Sequence, residues 1–437
     1  MGKYFGTDGI RGVAGDFLNA HLAFNVGLSL KYVLKTNTVV IGKDTRESSD
    51  MLAYSLAAGA LSAGVDVIMA GVVSTPMIAY YSKVNAMCGV MITASHNPFK
   101  DNGIKIFNKG YKMLEKDEDK IETFLENPIT KTHTSFGTLS ESDDILETYK
   151  ELYKTLLNEK VNISVGYDSA NGANYQIAKM LLSPLCDESY QINALPDGKN
   201  INVECGSTYL DAIKGLVKDK KLDIGFSFDG DGDRCLVIDH NLKIYDGDLI
   251  IYTIAKYLKS IDALNKNTVV LTKMSNPGII KAFKDLGIKT VLTDVGDKYV
   301  THEILKNNYT IGGENSGHII LNHLLHTGDG LLVAVTLLNI LQTLKTSLKC
   351  YTKEVQLYPQ KMVNIKHVSK STLEEESVKS IIKEAKKYLG EDSLLLVRAS
   401  GTEPLIRVTI SHQDEATLDH VMASIVDVIK QSGRDKI

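Results

Sequence analysis

A chain of 437 residues with 43% hydrophobic side chains can bury several cores, and ordinary domain sizes lead to an expectation of about three to four domains. A formal net charge of −4 with interspersed acids and bases excludes the basic footprint of a nucleic-acid binder, and no window nears the roughly 20 apolar residues of a membrane span. The N-terminus has no apolar leader, and Cys88, Cys186, Cys205, Cys235 and Cys350 show no C-x-x-C spacing, so free thiols and a cytoplasmic location are expected.

In chain order, one pattern recurs. A β-branched run ends in a small or polar loop and a helical pattern follows: Val39-Val40-Ile41 into Gly42-Lys43-Asp44, with Leu52, Leu56, Ala60 and Leu61 at helical spacing behind it. The pattern returns at Ile163 to Asp168 and at Val269 to Ser275. Repeats about 100 to 125 residues apart match domain size, so the sequence predicts three similar α/β domains in tandem with mixed sheets; a single long doubly wound sheet is the competing architecture. The last part changes character, with a helix over Leu373 to Leu389, strands over Leu394 to Val397 and Ile406 to Ile410, and a helix from about Glu415 to Lys430. That order predicts a small C-terminal α+β domain after a polar hinge at Lys366 to Ser371. The expected domains are 1–150, 151–253, 254–365 and 366–437.

Four loops carry chemistry. In Thr93-Ala94-Ser95-His96-Asn97-Pro98 a serine and a histidine adjoin, without the Gly-x-Ser-x-Gly elbow that aims an acyl nucleophile. In Asp229-Gly230-Asp231-Gly232-Asp233-Arg234, glycines let three carboxylates converge on one hard cation. An EF-hand is excluded, because its sixth and twelfth positions would be Arg234 and His240. An empty acidic turn would set like charges against each other at around 4 kcal/mol per pair at ~4 Å and an effective dielectric of about 20. Mg²⁺ is the expected ion, since it takes few carboxylates together with phosphate oxygens. The loop Gly313-Glu314-Asn315-Ser316-Gly317-His318 offers acceptors and donors suited to vicinal hydroxyls, and a polar hairpin turn reads equally well. Arg398, Ser400, Gly401, Thr402 and Arg407 combine guanidiniums, hydroxyls and a flexible backbone suited to a phosphate, against the plainer reading of a turn with surface arginines. Beside a metal loop and a phosphate loop, Ser95 reads as a phosphoryl carrier that could also supply a metal ligand, with Lys105 and His96 as candidates for proton transfer or charge neutralisation. A structural role for His96 stays open.

Taken together and in this order, the four loops resemble the signature loops of the α-D-phosphohexomutase superfamily along the whole chain. Tyr4 to Gly12 with Arg11, Gly42 to Arg46, Val295 to Tyr299 with Lys298, and Tyr358 to Gln360 are most similar to its bacterial branch acting on glucosamine phosphates. The resemblance implies three α/β domains and a mobile C-terminal domain around a central cleft. It implies interconversion of glucosamine 6-phosphate and glucosamine 1-phosphate, towards UDP-N-acetylglucosamine and the cell wall, through phosphorylated Ser95 and a hexose 1,6-bisphosphate. It places Mg²⁺ on Ser95, Asp229, Asp231 and Asp233, sugar contacts at Glu314 and Ser316, a phosphate clamp at Ser400, Thr402 and Arg407, and further substrate contacts at Arg11, Lys298, His318, Arg398 and Gly401. Arg234 and Lys105 would neutralise charge on the moving group. At position 298 lysine supplies a point charge where arginine would supply a fork. A homodimer is the implied assembly. The competing functions are a mutase for mannose or glucose phosphates, a phosphatase, and a silent sugar-phosphate sensor.

Overall fold

The computed structural model describes residues 2–6, 8–128, 135–142, 144–154, 156, 160–399 and 405–434. Ser400, Gly401 and Thr402 lie outside them. The chain forms two units, Met1–Val270 with Gly296–Tyr351, and Leu271–Val295 with Thr352–Ile437.

In the first unit, the N-terminal sheet runs Ile10–Val13, Asp101–Asn108, Cys88–Ile92, Thr38–Lys43, Asp66–Val72 and Leu139–Glu141, with Tyr111–Lys112 paired to Asp101–Asn108. Its middle strands are parallel, and Asp101–Asn108 runs antiparallel to both neighbours. Val39, Ile41, Val90 and Ile92 are fully buried, together with Leu52, Leu56 and Ala60 of the helix Ser49–Ser62. The expected periodicity at these positions is thus the core face.

The second sheet runs Ile244–Tyr245, Cys235–Asp239, Ile224–Phe228, Val161–Asp168 and Cys186–Ile192, again mixed in direction. A third pairing sets Val269 and Val270 parallel to Ile311 and Gly312, and Ile311–Gly313 turns back antiparallel on Ile319–Leu321. Helix Gly330–Leu344 is apolar nearly all round and buried over most of its length, as such a helix must be.

The second unit contains the helix Pro277–Asp285, the strand Lys289–Thr293 and a three-stranded antiparallel sheet ordered Gln360–Lys366, Leu405–Ser411, Leu394–Ala399. Helices Glu376–Leu389 and Glu415–Arg434 pack against that sheet through Val378, Leu418, Ile425 and Ile429. The α-β-β-α order expected here becomes β-α-β-β-α, because Gln360–Lys366 pairs along its full length with Leu405–Ser411. The C-terminal sheet therefore begins before residue 366. A half-exposed strand alternating Met362, Asn364 and Lys366 with Val363 and Ile365 carries little apolar signal of its own.

The cysteines are free, four of them buried and Cys350 exposed, as expected. Among the described residues no helix is long and apolar enough to cross a membrane.

Candidate active site

Three loops at strand ends and one strand interior of the first unit bring the site together. Thr93 to Asn97 follow the buried strand Cys88–Ile92, the aspartate loop follows Ile224–Phe228, Lys105 projects from Asp101–Asn108, and Glu314 to His318 form the turn between Ile311–Gly313 and Ile319–Leu321. The approach is close enough to dictate a residue type. A Cβ on Gly230 would lie 2.6 Å from the carbonyl oxygen of Ser95.

Ser95 is 1% exposed and holds φ 54°, a left-handed conformation that costs a non-glycine residue about 1–2 kcal/mol. Its surroundings hold it there. The Ser95 amide donates to Thr93 Oγ1 at 2.9 Å, and its carbonyl accepts from Arg46 at 2.8 Å and from Asn202 at 2.9 Å. The result points Ser95 Oγ at Asp229 Oδ2, 2.6 Å away, with His96 Nδ1 at 3.2 Å. Burial, followed by Arg234 and Arg11, lowers the His96 pKa to about 3.

Asp229, Asp231 and Asp233 are buried, and one ligand oxygen from each lies within 4.8 Å of the others. Asp231 Oδ1 and Asp233 Oδ1 have no hydrogen-bond partner. Burial and the neighbouring Asp233 and Asp231 push the Asp229 carboxyl well above its usual range. Orphaned buried oxygens and mutual repulsion fit a hard divalent cation, which would supply electrostatic stabilisation to an oxyanion beside it.

Lys105 is 3% exposed, with Nζ 2.8 Å from Asp231, 3.0 Å from Asp233 and 2.9 Å from Asp8. Burial opposes its charge, but Asp231, Asp233 and Asp8 outweigh it and raise its pKa. It is a fixed cation, which favours charge neutralisation over proton transfer. Arg11 pairs with Asp8 and reaches the Ala94 carbonyl at 3.3 Å. Arg234 lies with Nε 4.0 Å from both Asp229 and Asp233.

Glu314 accepts the Gly296 amide at 3.0 Å, and burial raises its pKa. Ser316 Oγ and both ring nitrogens of His318 lack hydrogen-bond partners, although Nε2 lies 3.6 Å from Asp297. Burial lowers the His318 pKa to about 4. Lys298 pairs with Glu115 at 2.8 Å. The hairpin is real, and it carries unspent polar groups.

Arg398 and Arg407 are in the second unit. Both sit on strands, Arg407 within the one expected over Ile406 to Ile410 and Arg398 just past the expected end at Val397, opposite one another on Leu394–Ala399 and Leu405–Ser411. Arg407 Nε donates to Asn364 at 2.8 Å, whereas Arg398 Nε is buried without a partner. Burial and then Arg407 lower the Arg398 pKa. Two facing guanidiniums favour an anion between them. Arg407→Ala is expected to raise KM for a phosphorylated substrate about 10-fold or more, the scale of one charge-assisted hydrogen bond; an unchanged KM would sink that assignment.

Several residues carried no chemical signal in isolation. Arg46 binds Asp44 at 2.9 Å and donates to the carbonyls of Ser95, Asn97, Pro98 and Asp101. Asp8 bridges Arg11, Lys105 and Lys112, and Thr75 Oγ1 donates to Asp231 Oδ2 at 2.5 Å. Asp8, Asp44 and Arg46 fall in the stretches that carried the family likeness, while Thr75 was silent.

A multidomain α/β chain with a cation-ready aspartate loop facing a buried serine defines a class of protein, and comparison with known proteins gives the same class. Models of the phosphoglucomutase/phosphomannomutase family match as alpha/beta/alpha domain I over residues 2–131, domain II over 145–243, domain III over 246–358 and the C-terminal domain over 359–428. A Burkholderia thailandensis protein of that family shares the fold with TM-score 0.82 at 21% identity, covering 98% of this chain and 97% of its own. Aspergillus fumigatus N-acetylphosphoglucosamine mutase, solved with GlcNAc-6P and magnesium, superposes with TM-score 0.70 at 17% identity, covering 98% and 96%. The phosphoglucosamine mutase of Bacillus velezensis is 43% identical over 98% of this chain and 99% of its own length, and that of a Bacillus cereus strain is 42% identical with the same coverage. The chain belongs to the phosphoglucosamine mutase family of the phosphohexomutases, and is an isomerase of the phosphotransferase type.

Proposed function

We propose that this enzyme interconverts glucosamine 6-phosphate and glucosamine 1-phosphate, with Ser95 as the phosphoryl carrier. The observation that carries this reading is the Ser95 hydroxyl, buried and aimed at Asp229 beside two unpartnered aspartate oxygens. Family membership supports the sugar, since the relatives at 42–43% identity are phosphoglucosamine mutases.

Asp229, Asp231 and Asp233, with Ser95, would hold Mg²⁺, which when bound supplies positive charge to the phosphoryl oxygens. The P–O bond to Ser95 Oγ breaks as the free sugar hydroxyl forms a new P–O bond, and the hydroxyl's proton ends on the vacated Ser95 Oγ. The resulting hexose 1,6-bisphosphate turns round, its other phosphate passes to Ser95 Oγ, and the proton that Ser95 Oγ gives up ends on the vacated sugar oxygen. Lys105, Arg234 and Arg11 neutralise charge on the moving group, and His96 steadies the hydroxyl. Glu314, Ser316, His318 and Lys298 hold the sugar. Arg398 and Arg407, with Ser400, Gly401 and Thr402, take a substrate phosphate. The chain would then divide into domains 1–150, 151–253, 254 to about 359, and a last one whose sheet begins at Gln360. The working compartment is the cytoplasm and the assembly a homodimer.

The test follows glucosamine, glucose and mannose 6-phosphates side by side, with Mg²⁺ and catalytic glucose 1,6-bisphosphate. The expected result is the highest kcat/KM for the amino sugar. Preference for another hexose would keep the chemistry and overturn the substrate. Release of inorganic phosphate would point to a phosphatase, and no turnover at all to a sugar-phosphate sensor.

A further inference from the structure

Helix Ile145–Tyr153 has no role in the chemistry above, yet it carries two tyrosines at i, i+4 spacing that are 0% exposed. Their rings meet edge to face at 5.1 Å and their hydroxyls converge on a single buried carboxylate, Asp329. Tyr149 donates to Asp329 Oδ2 at 2.6 Å, Tyr153 at 3.2 Å, and the two hydroxyls are 2.8 Å apart. Hydrophobic packing alone needs no such group, and a buried carboxylate is costly unless each oxygen is satisfied.

What Asp329 holds is the start of helix Gly330–Leu344. Its Oδ1 accepts the Leu332 amide at 3.0 Å as the N-cap. The next amide, that of Gly330, donates at 3.0 Å to the carbonyl of Gly232, in the middle of the aspartate loop. The fit tolerates no side chain, since a Cβ on Gly330 would lie 2.3 Å from the Arg234 carbonyl oxygen.

The same loop is gripped by a second helix start. The Thr75 amide, at the head of Thr75–Val84, donates to the Asp231 carbonyl at 2.9 Å, and its hydroxyl donates to the Asp231 carboxylate. That helix also packs on Ile145–Tyr153: Tyr80 meets Tyr149 edge to face at 6.4 Å, and Tyr81 donates to Asp144 at 2.9 Å. One helix thus touches both helices whose starts hold the loop.

We propose that Tyr149, Tyr153 and Asp329 are positioning residues for the cation site, bracing the aspartate loop through the N-termini of Gly330–Leu344 and Thr75–Val84. This rests on the reading that Asp229, Asp231 and Asp233 bind the metal. Groups that orient ligands without touching the ion typically control affinity by about 10- to 100-fold.

The test is Mn²⁺ binding to the full-length enzyme, followed by electron paramagnetic resonance without substrate, alongside thermal unfolding. Tyr149→Phe, Tyr153→Phe and Asp329→Asn are compared with Tyr167→Phe, which removes another buried hydroxyl, bonded to Ser183 and not to the loop network. Asp329→Asn keeps a capping side chain, and the tyrosine variants cover the case in which it fails to fold. The expected result is Mn²⁺ affinity weakened about 10-fold or more in Tyr149→Phe and Asp329→Asn, with Tyr167→Phe within about twofold of wild type. Folded tyrosine variants with wild-type affinity would overturn the proposal, as would equal weakening in Tyr167→Phe. Wild-type protein that binds no Mn²⁺, or Asp231→Asn that binds it normally, would instead overturn the metal reading beneath it.

Discussion

Ser95→Ala is expected to lower kcat by about 10⁴-fold or more, the scale of losing a nucleophile, while the protein stays folded. The hydroxyl is the atom the fold is arranged to present. It is buried, within hydrogen-bond reach of Asp229 and His96, and its backbone is held in a left-handed conformation by Thr93, Arg46 and Asn202. Alanine keeps every one of those backbone bonds and removes only the oxygen. The thermal midpoint should therefore move little, while any phosphorylated form that intact-mass spectrometry detects in the wild type should be absent from the variant, together with turnover. A variant retaining more than about a hundredth of wild-type kcat would mean that the phosphoryl group travels by another route.

Arg46→Ala has the largest expected effect on stability. The Arg46 side chain is fully buried and so is that of Asp44, and breaking a buried pair from one side typically costs about 3–5 kcal/mol. Here the loss is compounded, because the carbonyls of Ser95, Asn97, Pro98 and Asp101 lose the donor that ties them into one loop. Urea unfolding should show the first transition shifted to lower denaturant, and kcat should fall because Ser95 loses its support. Arg46→Lys should not restore either property, since an ammonium cannot reach around a loop as a planar fork does. A midpoint unchanged in Arg46→Ala would show that Asn202 and Thr93 suffice to hold the loop.

The residues most legible in the sequence are those whose chemistry is confined to a short stretch. Asp229, Asp231 and Asp233 are such a case: alternation with glycine brings the carboxylates together by local turns, and the oxygens do converge. The strands at 39–41 and 269–271 are legible for a similar reason, since a run of β-branched residues reports complete burial. Arg46 and Asp8 were readable only as likeness, because the partners that tie them to the site, the Ser95 carbonyl for Arg46 and Lys105 for Asp8, lie tens of residues away. Asp329 gave no signal at all: an aspartate before an apolar helix is an ordinary cap, and nothing local reveals that Tyr149 donates to it from 180 residues upstream.

The sequence by itself thus determined the succession of α/β units, the C-terminal change of character and the four loops with the types of group they offer. Each depends on periodicity or on neighbours within a few residues. Tertiary structure alone decided that Gln360–Lys366 joins the last sheet, that Arg398 and Arg407 face each other from paired strands, and that Lys105 is a caged cation. Those outcomes depend on strand pairing and on burial among distant charges. Both are properties of the folded neighbourhood: the same lysine carries a raised pKa because Asp8, Asp231 and Asp233 surround it, and no local window contains that fact.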